Sequence, residues 1–340
     1  MDIPTWVWLV TALGVVGLIF FDFFAHVRKP HAPTFAESAK WSAFYIALAL
    51  AFGVVVGVVW GWGSGTEYFA GYVTEKSLSV DNLFVFLIIM TKFAVPREYQ
   101  QKVLLVGVAI ALLLRTAFIL AGAAAIEQFS WVFYVFGAFL VYTAIKLVRE
   151  SHAPDDEHAK DDDAGDGAVV RLLKRVVPTT DEYHGDRLTT RIDGKRFLTP
   201  MLVVMVAIGS TDILFALDSI PAIYGLTTEP YIVFTANAFA LLGLRQLYFL
   251  IGGLLDRLVY LSQGLSVILA FIGVKLVLHA LHVNELPFVN GGEPVTWAPE
   301  IPIWLSLSVI LGTLAVATVA SLAKTRRDGR VGELTASDRT

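Results

Sequence analysis

Glu75, Asp81, Asp212 and Asp218 sit in stretches otherwise fit for hydrocarbon, and their spacing repeats. Glu75-x5-Asp81-Asn82 lies in EKSLSVDNLFVF, and Asp212-x5-Asp218-Ser219 lies in TDILFALDSIPAI. A fifth acid, Asp22, interrupts the first apolar run. One charge at the centre of a bilayer costs about 2.5–3.5 kcal/mol on insertion scales. Arg115 and Arg245 lie equally deep, while Lys146 and Lys275 are nearer helix ends and can snorkel. Mutual neutralisation accounts for both arginines as structural partners. It does not account for five acids, so some must be protonated or neutralised by a bound cation.

On a helix, Glu75, Ser79 and Asn82 share a face, and Asp212 and Ser219 share the corresponding one. Carboxylate, amide and hydroxyl oxygens are hard ligands suited to Mg²⁺, Ca²⁺ or Mn²⁺. Cysteine is absent and Met numbers four, which removes thiolate sites and disfavours copper(I). Pro221 offers a local break that would free the carbonyl of Leu217 beside Asp218. His26 follows Asp22 by one turn, and His279 and His282 end a later run; each is read as an interfacial imidazole.

The elements that carry these residues are membrane helices. The chain has 340 residues, 56% of them hydrophobic and only 16% charged, with a mean hydropathy of +0.66. A soluble globular domain is excluded. No phosphate loop and no nucleophile–base motif appears, so neither ATP nor an enzymatic reaction is expected. The net charge of −4 gives no footing for nucleic acid. Apolar runs place nine spans at 5–25, 42–62, 67–92, 103–126, 130–149, 199–222, 231–252, 258–280 and 302–323. The first lacks a basic leader and a cleavage site and reads as retained. Lys and Arg follow the odd-numbered spans and are missing from Gly61–Thr66, Glu127–Ser130, Thr227–Pro230 and His282–Pro302. The positive-inside rule then puts the N-terminus outside and the C-terminus in the cytoplasm.

Spans three to five recur as spans six to eight. RTAFILAG from Arg115 matches RQLYFLIG from Arg245, and AFLVYTAIKLV matches VILAFIGVKLV. Two copies of three helices insert with opposite orientation, the inverted-repeat plan of many secondary transporters. The expected organisation is two leading spans (1–66), the first repeat (67–150), a cytoplasmic linker and loop (151–198), the second repeat (199–281), then an outer loop, last span and tail (282–340). Within the linker, SHAPDDEHAKDDDAGDG is too polar to fold by itself.

The two acidic motifs, with VPREYQQKVLLVG, LLRTAFILAG, YHGDRLTTRIDGKRFLTP and NAFALLGLRQLYFL, resemble the TerC/Alx family of integral membrane proteins over residues 15 to 280. The resemblance implies a bacterial inner-membrane protein linked to manganese efflux and tellurite resistance, akin to the LysE-like exporters. It implies a metal site of Asp22, Glu75, Asp81, Asn82, Asp212, Asp218 and Ser219; Arg115 and Arg245, read above as buried ion-pair partners, are expected to support it. One departure stands out: Gly209 occupies a position where many relatives carry glutamate. The leading expectation is a secondary Mn²⁺ exporter, with proton countertransport as its energy source. The alternative is a membrane-assembly or tellurite-stress component whose acids are packing partners.

Overall fold

The computed structural model describes residues 3–27, 31–129, 131–152, 175, 178–180, 182–192, 195–251, 259–284, 286–287, 289–295 and 297–337. Most of the acidic linker lies outside the described residues. Helix α1 (Thr5–Asp22) runs into a π turn, Phe23–Val27. It is followed by α2 (Phe35–Trp60), α3 (Trp62–Lys92), α4 (Arg97–Gln128) and α5 (Val132–His152). A hairpin of β1 (Thr189–Ile192) and β2 (Lys195–Leu198) precedes α6 (Pro200–Tyr224). The chain continues with α7 (Pro230–Leu241), α8 (Leu244–Ile251), α9 (Leu261–His282) and α10 (Ile303–Ser337).

Local signals explain the boundaries. Thr34 caps α2 by accepting a hydrogen bond from the Glu37 amide at 3.3 Å. Pro200 and Pro230 open α6 and α7, where a missing N–H costs nothing. Gly61, at φ +98°, turns α2 into α3 through a conformation that a side chain disfavours.

Among the described residues, seven helical stretches are long and apolar enough to cross a bilayer, each alone or, for α7 with α8, as a pair. Of the nine expected spans, that on α3 is interrupted by charge: its 31 residues include Glu67, Glu75, Lys76 and Asp81. α6 has 25 residues and opens on the apolar stretch Pro200–Ile213.

Span seven is not one helix. Leu242 is extended and Gly243 has φ +78°, so α7 and α8 are separated by a break. The break expected at Pro221 does not occur, because α6 continues through that residue to Tyr224. Near a C-terminal end a proline removes one hydrogen bond without forcing the chain out of helix.

α3 packs along α7, α4 along α6, and α5 along α9. The last pair is the closest. A Cβ on Gly137 would lie 2.8 Å from the Gly273 carbonyl, and one on Gly273 would lie 2.9 Å from the Gly137 carbonyl. Small residues allow such backbone approach between membrane helices. By contrast, Trp6, Leu13, Val58, Leu113, Val316 and Val319 point outward.

The hairpin docks at one end of the bundle. The Tyr183 hydroxyl donates to the Phe93 carbonyl at 2.7 Å, and Lys102 pairs with Asp186 at 2.7 Å. At that same end the Gln101 amide donates to the His31 carbonyl at 2.6 Å. The other end is tied by Thr227 to Glu67 at 2.6 Å and Tyr134 to Asn284 at 3.1 Å.

Candidate functional site

The interior of the bundle holds two separate ionic clusters. The first centres on Arg115 of α4, which is fully buried. Its Nε and Nη2 donate to the two carboxylate oxygens of Asp212 on α6, each at 3.1 Å. Its Nη1 donates to Ser219 at 3.1 Å and ion-pairs with Glu75 of α3. Asp212 and Ser219 lie two turns apart on one face of α6, which is why one planar guanidinium reaches both. Glu75 and Asp212 are 0% and 1% exposed, so two carboxylates share one fixed positive charge.

The second cluster joins α1, α4 and α8. Arg245 Nη2 meets Asp22 Oδ1 at 2.7 Å, and the Gln246 amide donates to the same oxygen at 3.0 Å. Arg245 Nη1 also donates to Gln101 of α4. Asp22 is thus paired in its own cluster and is not gathered with Glu75 and Asp212.

Of the other expected residues, Asn82 and Ser79 are buried on α3 with Glu75. The Ser79 hydroxyl has no hydrogen-bond partner among the described residues. Asp81 and Asp218 lie on α3 and α6, but their side chains, like that of His26, fall outside the described residues. His282 faces Glu300 at 3.3 Å, and His279 packs edge-on against Phe133. Among the described residues, no group of three or more His, Asp or Glu side chains gathers into a metal cage.

Two participants escaped sequence reasoning. The Lys76 ammonium donates to the carbonyl of Ala240 at 2.9 Å and reaches that of Leu242 at 3.5 Å, capping the broken end of α7. These are carbonyls that a helix end leaves without partners. Its signal was available, since an ionisable residue inside a span marks a function by default. Asn237 of α7 is 0% exposed, and neither amide atom has a partner among the described residues. A lone amide within NAFALLGL was its only mark.

Apolar helices built around buried ion pairs define a multi-pass integral membrane protein with a polar interior. The chain belongs to the TerC family: the family described as "Integral membrane protein TerC family" matches residues 60–329. It is 51% identical over 322 residues to an uncharacterized membrane protein of Mycobacterium tuberculosis, covering 94% of this chain and 80% of the relative. It is 36% identical over 323 residues to the "Putative membrane-bound redox modulator Alx" of Salmonella typhi, covering 92% of each. The thylakoid membrane protein TERC of Arabidopsis thaliana is 43% identical over 245 residues, covering 72% of this chain and 62% of the relative. No solved structure matches the chain.

Proposed function

We propose that the protein is a secondary exporter that moves Mn²⁺ out of the cytoplasm through the interior of the bundle. The observation that carries this reading is the Glu75–Arg115–Asp212 cluster. Two carboxylates facing one arginine leave a net negative charge in a buried site, and hard oxygens select hard divalent cations. Ser79, Asn82 and Asn237 add oxygen donors on the flanking helices, and Asp81 and Asp218 are assigned to the same site. Manganese, among hard cations, rests on the resemblance to efflux proteins. Protons released from the acids as the ion binds would supply countertransport.

The packing supports an inverted repeat of spans three to five and six to eight. Exchanging the two units maps the α3–α7 contact onto α6–α4 and leaves α5–α9 in place. The placement of His31, Phe93, Lys102 and Asp186 at one end supports the alternation of basic and neutral connections. Nine crossings, an outer N-terminus and a cytoplasmic C-terminus follow from that alternation, in a bacterial inner membrane.

A second reading is a membrane component that transports nothing, and the direct pairing of Asp22 Oδ1 with Arg245 favours it at that cluster. The redox role in the name of Alx has no thiol to act through here, because the chain lacks cysteine.

Reconstituted vesicles decide between them. Saturable Mn²⁺ uptake that exceeds Mg²⁺, Ca²⁺ and Zn²⁺ and disappears in Asp212→Asn and Asp81→Ala is the expected result. Retained flux in both variants removes these acids from the pathway, and no flux of any ion from well-folded protein favours the second reading.

A further inference from the structure

Two small cavities lie on either side of the Asp22–Arg245 pair. One is lined by Pro33, Glu37, Ser38, Trp41, Gln101 and Phe249, at the end that bears the α1–α2 connection. The other is lined by Ile19, Asp22, Leu105, Leu241, Leu242 and Gly243, against the break in span seven. Arg245 and Gln246 are the residues that line both.

The first cavity is polar in a way that apolar packing does not explain. Ser38 of α2 lines it and is 2% exposed. Its hydroxyl has no hydrogen-bond partner among the described residues, and the same holds for Gln246 Oε1 and Arg245 Nε. Burying such groups dry costs about 1–3 kcal/mol each, so the wall is built for water or for the water shell of an ion. Glu37 also lines it, with a side chain 30% exposed and a carboxylate 3.2 Å from His31 Nε2.

Between the cavities the ionic cluster forms a bolt. Arg245 and Gln246 both hold Asp22, Arg245 holds Gln101, and Gln101 holds the His31 carbonyl. Four segments of chain are fastened at this point: α1, the α1–α2 connection, α4 and α8. Releasing Asp22 from Arg245 would join the two spaces and open a wet route from the bundle end to the broken helix.

We propose that the cavity lined by Ser38 is a hydrated vestibule for the cation and that the Asp22–Arg245 pair is its gate. The identity of the ion rests on the exporter reading, whereas the gate does not. Because the chain has no cysteine, single cysteines report on it against no background. Ser38→Cys is expected to react with a membrane-impermeant maleimide applied to the side of the α1–α2 connection, and Leu241→Cys is expected to be protected. Adding Asp22→Asn should raise the rate at Leu241→Cys by tenfold or more. If that variant does not fold, Asp22→Asn with Arg245→Gln removes both charges and is expected to give the same increase. Equal reactivity of Leu241→Cys with and without the pair would overturn the gate. Modification of Ser38→Cys by a lipid-soluble maleimide alone would overturn the vestibule. Gated labelling in a protein that moves no metal would sink the exporter reading and keep the gate; metal flux with ungated labelling would do the reverse.

Discussion

Arg115 grips Asp212 with two parallel hydrogen bonds of 3.1 Å, one to each carboxylate oxygen. The same guanidinium also ion-pairs with Glu75. This fork joins α4 to α3 and α6 through partners 40 and 97 residues away from Arg115, and it makes the consequences of substitution unequal among its members.

Arg115→Gln strands two buried carboxylates, whereas Asp212→Asn leaves Arg115 still paired with Glu75. Breaking a buried pair costs about 3–5 kcal/mol. Arg115→Gln is expected to reach that range and Asp212→Asn to fall well below it, measured as unfolding in detergent. An equal loss from both would show that Glu75 does not share the charge.

Lys76→Met removes the donor from the Ala240 and Leu242 carbonyls. Hydrogen bonds to charged groups contribute about 1.5–3 kcal/mol, and a loss of that size is expected in thermal unfolding. Lys76→Arg should recover part of it. A silent Lys76→Met would mean that another group satisfies the break.

Gly209 faces α4, where an added Cβ would sit 3.1 Å from Cγ2 of Ile110. That contact is a methyl tip able to yield by a few tenths of an ångström. Gly209→Glu is therefore expected to fold and to place a further acid one turn from Asp212. Mn²⁺ should then half-saturate transport at a several-fold lower concentration. An unchanged or weaker dependence on Mn²⁺ would place position 209 outside the ion's path.

Asp186 titrates at the docked hairpin. Its hydrogen bond with Lys102 holds the carboxyl below the ordinary value of 3.8. A lowered pKa in the folded state means that the pair stabilises docking above that ordinary value. The contribution disappears as pH falls through the lowered one. Amide exchange in residues 182–198 should be flat from pH 7 to 5, after correction for intrinsic rates, and lose protection only in stronger acid. Asp186→Asn should abolish that acid-dependent loss.

Membrane crossing was legible because hydrocarbon thickness demands a run of apolar residues, and the chain writes those runs plainly from Trp6 to Phe24 and from Ile303 onward. Burial of Glu75, Asp212, Arg115 and Arg245 was legible for the same reason. The pairing was not. Arg245 could have met any intramembrane acid, and its choice of Asp22, 223 residues away, is set by how α1 lies against α8. The break at Gly243 was hidden because a single glycine in an apolar run is compatible with continuous helix. Pro221 gave the louder signal and bends nothing out of helix. Lys76 went unread beside Glu75, because the repeated spacing picks out the acids. The β-hairpin was not expected in a segment read as linker and loop, although Asp193-Gly194 is a common two-residue hairpin signal.

The divided span has a bearing on biogenesis. α7 has 12 residues, short of the roughly 20 that hydrocarbon requires. It must therefore enter the bilayer together with α8, with exposed carbonyls at the join. The group that quiets those carbonyls, Lys76, was synthesised 164 residues before Ala240 and waits on a helix already inserted. Span seven can settle only where α3 receives it, so the two halves of the chain mature together, and a ribosome-bound fragment ending before α7 would hold Lys76 without its acceptors.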